Sequence, residues 1–400
     1  LSKTWDASRK ISGLGDLLMR TLANGIPDKG SPDAVAADQG WMRLALRLAN
    51  RGQGQVAPNP SVGCVLVRDN RIVGRGWTQP GGRPHAEAVA LAQAGSGAAG
   101  ATAYVTLEPC SHHGKAPPCA DALIAAGVVR VVAAIQDPDA RVDGQGFERL
   151  RAAGLAVTVG VCGELAGAAL AGFIRRGRDG RPLLTLKLAA SIDSRIATRD
   201  GESQWITGEP ARRLAHLMRA RHDAILTGTG TVLADDPSLT CRLPGLDQRT
   251  PVRVVLDSRL VTPLNSALVS SARNIKTMII TTAGASDASA AALRGEGVEV
   301  ARVAETKDGK VGLDAALRAL GDCGITSVLV ESGGFLAASF LSAGLVDRLV
   351  WFRAPMVIGG DGRAAVEPLG VAALVAAPRF ERIDVRPVGE DMVETYRLRP

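Results

Sequence analysis

Residues 103–135 read "AYVTLEPCSHHGKAPPCADALIAAGVVRVVAAI". An apolar run ends in a proline-punctuated polar loop, an alanine-rich segment over 119–126 predicts a helix closed by Gly127, and a valine-rich run follows. Strand, helix, strand in that order is a crossover unit, and such a connection suits parallel strands. The alternation continues both ways. A helix is expected in "DQGWMRLALRLANRG" (38–52), with Trp41, Leu44, Ala45 and Leu48 periodic and Gly52 ending it. "VGCVLVRDNRIVGRGW" (62–77) reads as a hairpin turning at Asp69 and Asn70. A helix from near His85 to Gly95, one near 144–153 and the strand "LAVTVG" (155–160) complete an α/β sandwich with a largely parallel sheet.

The second half restarts the pattern without repeating the first. Strands are expected in "PLLTLKLAASIDSRIA" (182–197), "PVRVVLD" (251–257), "TMIITT" (277–282), "VEVARV" (298–303) and "SVLVESGG" (327–334). "DRLVWFRAPMVIGG" and "DMVETYRLR" add two more β runs. Helices are expected in "EPARRLAHLMRARHDA" (209–224) and over 313–320, while "AILTGTGTVLADDPSLT" (224–240) reads as a strand running into a loop. The resulting division is an extension of uncertain structure over 1–38, a first domain over 39–160, a Gly- and Arg-rich connector over 161–181, and a second domain over 182–400. A chain of 400 residues exceeds what one core usually organises, which agrees with two domains.

Composition removes several function classes. The net charge of +7 is spread among acids, and aromatics make up 3%, so no basic aromatic stripe for nucleic acid is present. No run of eighteen apolar residues suggests a membrane span, and the amino terminus lacks the continuous apolar core of a secretory signal. Six cysteines (Cys64, Cys110, Cys119, Cys162, Cys241, Cys323) in so long a chain do not form a disulfide framework, and a cytoplasmic setting is expected.

The chemistry centres on "PHAEAVALAQAG" (84–95), where His85 and Glu87 stand two apart at the mouth of a helix. Cys110 and Cys119 flank the polar loop quoted first. One imidazole and two thiolates meet the three-ligand requirement of a catalytic zinc, leaving a position for water. Zinc lowers the pKa of bound water toward about 7. Glu87 would then move protons rather than bind metal, the division of labour in zinc deaminases. Their H-x-E…P-C-x-x-C signature matches except that eight residues separate the cysteines here. His112 and His113 stand as rival ligands, and Cys64 reads as core. A zinc site that is purely structural, in a module sensing a pyrimidine nucleotide, and a nucleic-acid base deaminase are the competing readings.

"PNPSVGCVLV", "PHAEAVAL", "AYVTLEPCSHHGKAPPCADALIAAGV" and "QDPDARVDGQG" resemble the deaminase half of the bifunctional riboflavin-biosynthesis RibD family. "LKLAASIDSRIAT", "GESQWIT", "ARRLAHLMRARHDAILTGTGTVLADDPSLTCR", "VVLDS" and "VESGGFLAASFL" are similar to its reductase half. The resemblance spans roughly 40–400. It implies a cytidine-deaminase-like α/β/α domain followed by a dihydrofolate-reductase-like α/β domain, with the long cysteine spacing normal for the family. It implies zinc at His85, Cys110 and Cys119, with Glu87 catalytic. It implies NADPH contacts at Ala190, Trp205, Thr231, Asp235, Ser258, Gly333, Gly334, Phe335, Leu336, Ala337, Ala338 and Ser339. Substrate contacts would be Asn59, Ser203, Arg219, Leu239, Arg242 and Glu331. The implied reactions are deamination of 2,5-diamino-6-(5-phosphoribosylamino)pyrimidin-4(3H)-one and NADPH-dependent reduction of the product's ribosyl group. The partner is thus a small phosphoribosylated pyrimidine, with neither nucleic acid nor membrane. The family tends to associate through its reductase domain, which implies a homodimer or homotetramer. One departure stands out: Ser194 occupies the place of the family's usual glycine in "S-[IL]-D-G-[RK]".

Overall fold

The structure, a computed structural model, describes residues 32–112, 117–139 and 142–399. Most of the 1–38 extension and the rival ligand His113 therefore lie outside the described residues. The chain divides into two compact units. Among the described residues, the first takes 32–51, Val62–Thr78 and Pro84–Ala169, and the second takes Gly52–Ser61, Gln79–Arg83 and 170–399.

The first unit is built on a five-stranded sheet of order β2-β1-β3-β4-β5. Its strands are β1 (Gly63–Arg68), β2 (Arg71–Trp77), β3 (Thr102–Val105), β4 (Arg130–Ala133) and β5 (Ala156–Val159). The β1–β2 hairpin and the β1–β3 pair are antiparallel, whereas β3–β4 and β4–β5 are parallel, as the crossover reading requires. α1 (Pro32–Ala49) begins six residues before the apolar pattern predicts, with proline at its first position, where the missing N–H costs nothing. It buries Met42, Ala45, Leu46 and Leu48 against Val65, Val67, Tyr104 and Val132. Fully burying a side chain the size of Met42, Leu46 or Leu48 contributes roughly 1.5–3 kcal/mol. Asp38 ties the helix down through two bonds to Arg130, at 2.9 and 2.6 Å, and one from the Tyr104 hydroxyl at 2.8 Å.

On β2 lies α2 (Ala86–Ala94), followed later by α3 (Cys119–Ala125) and α4 (Gln145–Ala152). A Cβ at Gly74 or Gly76 would fall 2.2 Å from Ala90 O or 2.3 Å from Ala86 O. These two glycines let the α2 backbone lie directly on β2, which fixes the depth of the His85–Glu87 turn.

The 161–181 stretch, expected as a connector, is helical: α5 (Gly163–Ala169) belongs to the first unit and α6 (Ala171–Asp179) to the second. Arg175 pairs along the helix with Asp179 and away from it with Asp347, both at 2.5 Å. Charge density that reads as a solvated linker is here the paired face of an amphipathic helix.

The second unit carries a nine-stranded sheet of order β11-β10-β9-β8-β12-β6-β13-β16-β15. These strands are β6 (Leu183–Ser191), β8 (Ala224–Gly228), β9 (Val252–Leu256), β10 (Thr277–Thr282), β11 (Glu299–Val303), β12 (Ser327–Glu331), β13 (Arg348–Ala354), β15 (Phe380–Val388) and β16 (Asp391–Leu398). Between them, β7 (Arg195–Ala197) and β14 (Arg363–Ala364) form a separate small pair. All neighbours from β11 to β13 are parallel, and the last two contacts are antiparallel. Helices cover both faces. α11 (Leu313–Asp322) and α12 (Gly334–Ser342) bury Leu317, Leu320 and Phe340 against Leu184, Leu186 and Val330. α9 (Ala267–Ser270) and α10 (Asp287–Gly295) bury Leu268 and Leu293 against Ile225, Val255 and Ile279. α7 (Glu209–Ala220) packs Ala211 and Ala215 on Phe352 and Val393. Because strand side chains alternate, the neighbours of Leu186 and Leu188 face away from that first core, and Lys187 is one of them.

The expected loop after β8 is instead α8 (Thr229–Asp235), which starts immediately at Gly228. Strand β15 was not among the expected β runs: its alternating Ile383 and Val385 are both exposed, and hydrogen bonds to β16 together with the packed ends Phe380 and Val388 hold it in place.

Candidate active sites

In the first unit, three different local structures deliver the metal donors. His85 is the N-cap of α2 in extended conformation, Cys119 is the first residue of α3, and Cys110 sits in the loop after β3. His85 Nδ1 lies 3.7 Å from Cys110 Sγ and 3.4 Å from Cys119 Sγ. All three donor atoms are within 4.8 Å of one another. Tetrahedral zinc, with bonds of about 2.05 Å to nitrogen and 2.3 Å to sulfur, would separate N and S by about 3.6 Å. The residues fit the ion. Among the described residues the cluster consists of these three; His112 is not part of it.

The electrostatics agree with a cation site. Hydrogen bonding from Cys119 and then from His85 holds the Cys110 thiol well below the ordinary thiol range, against the opposing effect of burial. Its hydrogen bond to Cys110, and then burial, push Cys119 upward. Glu87, 4% exposed in the first turn of α2, is pushed up to about 7 by burial and by the Cys110 charge. A buried carboxyl beside the three donors is placed to take and return a proton. Cys64 is buried in β1, its thiol pushed far up by burial. That is the behaviour of a core residue. Asn59, which groups with the second unit, donates through Nδ2 to Gly82 O at 2.9 Å.

The second unit contains a cleft of about 1050 Å³, at the upper end of the size range of cofactor and ligand sites. It opens where β12 and β8 end and α12 and α8 begin, at the carboxyl edge of a parallel sheet, where open α/β folds bind ligands. Trp205, Thr231, Asp235, Gly333, Gly334, Phe335 and Leu336 line it, as do Ser203, Arg219, Leu239, Arg242 and Glu331. The N-terminus of α12, capped by Gly333, supplies first-turn N–H groups suited to a phosphate. Five expected contacts do not line the walls. Ala190 is fully buried beside the lining residue Ala189, and Ala337 and Ala338 are buried on the core side of α12. Ser339 turns its hydroxyl back to Phe335 O at 2.8 Å, and Ser258 accepts Val311 N–H at 3.0 Å.

Lys187 was missed by the sequence reading. Its ammonium, its pKa lowered by burial, stands 3.8 Å from Glu331 Oε2 within the cleft. The sequence signals it only as the one charge within the run LLTLKLAAS; its place opposite Glu331 comes from the β6–β12 register.

The model of the cytidine and deoxycytidylate deaminase zinc-binding region matches residues 35–135, and that of the RibD C-terminal domain matches 182–394. The riboflavin biosynthesis protein RibD of Escherichia coli is 45% identical over 89% of this chain and 98% of its own length. That of Aquifex aeolicus is 40% identical over 90% and 98%. The solved structure of Acinetobacter baumannii RibD superposes with a TM-score of 0.82 at 37% identity, covering 92% of this chain and all of that one. A Thermotoga maritima structure described as a diaminohydroxyphosphoribosylaminopyrimidine deaminase/5-amino-6-(5-phosphoribosylamino)uracil reductase gives 0.80 at 33%, covering 91% and 99%.

Proposed function

Because the chain belongs to the RibD family of riboflavin biosynthesis, we propose that it performs two consecutive reactions on one phosphoribosylated pyrimidine. The first unit hydrolyses the 2-amino group of 2,5-diamino-6-(5-phosphoribosylamino)pyrimidin-4(3H)-one. Water enters, ammonia leaves, and 5-amino-6-(5-phosphoribosylamino)uracil results. The second unit reduces the ribosyl group of that product to ribityl at the expense of NADPH.

The convergence of His85, Cys110 and Cys119 beside buried Glu87 carries this reading. Zinc, when bound by Nδ1 and the two sulfurs, supplies the Lewis acidity that makes water reactive at neutral pH. Glu87 takes the proton of the attacking water and delivers it to the departing amine. A closed structural zinc needs four protein donors, and three with an adjacent buried acid suit catalysis instead. In the second unit NADPH, when bound, supplies hydride to the sugar's C1′. There the first turn of α12 would hold the cofactor phosphates, while Arg219, Arg242 and Ser203 would orient the substrate. Metal analysis with separate assays tests the reading. One zinc per chain, ammonia release from the diaminopyrimidine and NADPH oxidation on its deaminated product are expected. A zinc-loaded protein that neither releases ammonia nor oxidises NADPH would sink it.

Cytoplasmic residence and homo-oligomerisation through the reductase unit belong to the same reading. Six cysteines, none in a disulfide, suit a reducing compartment, and no described helix is long and apolar enough to cross a membrane. The outermost strand β15 leaves Ile383 and Val385 exposed, as a pairing edge would. Sedimentation of the intact chain decides the second point.

A further inference from the structure

We infer that Glu108 is a positioning residue for the zinc ligand Cys110, an inference resting on the deaminase reading above. Glu108 lies two residues before Cys110 and is 3% exposed. It neither binds metal nor carries a proton in that reaction. Its carboxylate accepts four backbone N–H groups. Oε1 receives Gly146 at 2.8 Å and Phe147 at 3.3 Å, and Oε2 receives Gly144 at 3.0 Å and Asp137 at 3.2 Å. An ionised carboxylate offers about four acceptor sites and no donor, so its capacity is filled. Gly146 and Phe147 are in the first turn of α4, whose N–H groups have no partner within the helix. Glu108 thus caps a helix 38 residues further along the chain.

The contact is close at the backbone too. A Cβ on Gly146 would fall 2.1 Å from Pro109 O, so only glycine lets α4 approach the loop that carries Cys110. Arg149 of α4 donates to Ser111 O at 3.2 Å. From α3, Ala120 N–H reaches Cys110 O at 3.2 Å and Cys119 N–H reaches Cys110 Sγ at 3.3 Å. The loop over 108–111 is therefore gripped by the N-terminal ends of α3 and α4, and that grip sets the separation of Cys110 from His85. Glutamine at 108 would keep the shape but turn an NH2 group toward two N–H donors. Two bonds are lost and the loop is released.

The full-length chain tests this by zinc competition against a chromophoric chelator, and by the thiolate-to-metal charge-transfer spectrum with cobalt(II) in place of zinc. Glu108→Gln should bind zinc about 10- to 100-fold more weakly, the range for outer-shell partners of ligands. It should also shift the cobalt spectrum while NADPH titration of the second unit is unchanged. Hydrogen exchange on the unmutated chain gives a second reading that needs no variant to fold. Since coupling is reciprocal, zinc should slow exchange at the Gly144, Gly146 and Phe147 amides. Wild-type affinity with an unaltered spectrum in Glu108→Gln overturns the inference, and so does exchange at those amides that ignores zinc. If the unmutated chain itself fails to bind zinc, the deaminase reading falls and the inference falls with it.

Discussion

Arg219 and Glu331 meet through two parallel hydrogen bonds, Nε to Oε1 at 2.8 Å and Nη2 to Oε2 at 2.9 Å, on the wall of the reductase cleft. One comes from α7 and the other ends β12, so the pair locks a helix to the strand leading into the glycine turn. Burial pushes the Glu331 carboxyl up, but Arg219 and Lys187 outweigh it and pull it down to about 2. The folded value lies below the ordinary one of about 4.3. Its stabilisation is therefore complete above about pH 4.3 and is lost as pH falls toward 2. Glu331→Gln should destabilise the second unit by about 3 kcal/mol at pH 7, the low end for a broken buried pair since the cleft admits water. Urea denaturation checks it: the gap between variant and wild type should narrow by pH 3. A constant gap would refute the pairing as its source.

Glu87 is expected to matter to one reaction only. Glu87→Gln should cut ammonia release by about 10²- to 10⁴-fold, the usual contribution of a positioned acid–base group. Zinc content and NADPH oxidation on the deaminated product should not change. A chelator should likewise abolish deamination alone, with recovery on adding zinc. Unaltered ammonia release in the variant would remove Glu87 from the mechanism.

The zinc cluster was legible because each donor stands at a helix or loop boundary that local sequence marks: proline before His85, prolines before Cys119, and E-P-C after a strand. The glycine turn opening α12 was legible for the same reason. Glu108 was not, because its four partners lie 29 to 39 residues away and nothing local distinguishes it from a turn carboxylate. Lys187 was hidden inside an apolar strand whose two faces only the sheet register tells apart. Helix α6 looked like a linker since the partner that ties Arg175 to the rest of the unit, Asp347, is 172 residues distant.

Gly334 tests the cofactor cradle. It opens α12, and a Cβ there would lie 2.5 Å from Ala364 O, while Glu367 N–H donates to Gly334 O at 3.2 Å. Alanine must push residues 364–367 away from the helix start, and Ala364 and Glu367 both line the cleft. Gly334→Ala should raise the KM for NADPH by at least about tenfold, equivalent to about 1.4 kcal/mol, with ammonia release intact. Steady-state assays of both reactions decide it, and an unchanged KM would place the cofactor elsewhere.

Ser194 turns the chain between β6 and β7 with φ at +63°, the left-handed conformation that the family's usual glycine adopts freely. The turn cannot relax away from it. Ser194 N–H is bonded to Ser191 O and its carbonyl to Ala365 N–H, both at 3.0 Å, while the Asp193 carboxylate holds the Ile358 and Gly359 N–H groups. A left-handed residue with a Cβ costs about 1–2 kcal/mol, and glycine returns about 0.5–1 kcal/mol of that as entropy of the unfolded chain. Ser194→Gly should therefore stabilise the second unit by about 0.5–1 kcal/mol. Ser194→Val, which adds β-branching at positive φ, should destabilise it by about 1 kcal/mol or more. Chemical denaturation of the two variants separates this from a side-chain role: if glycine and valine both destabilise, the serine hydroxyl matters and the backbone does not.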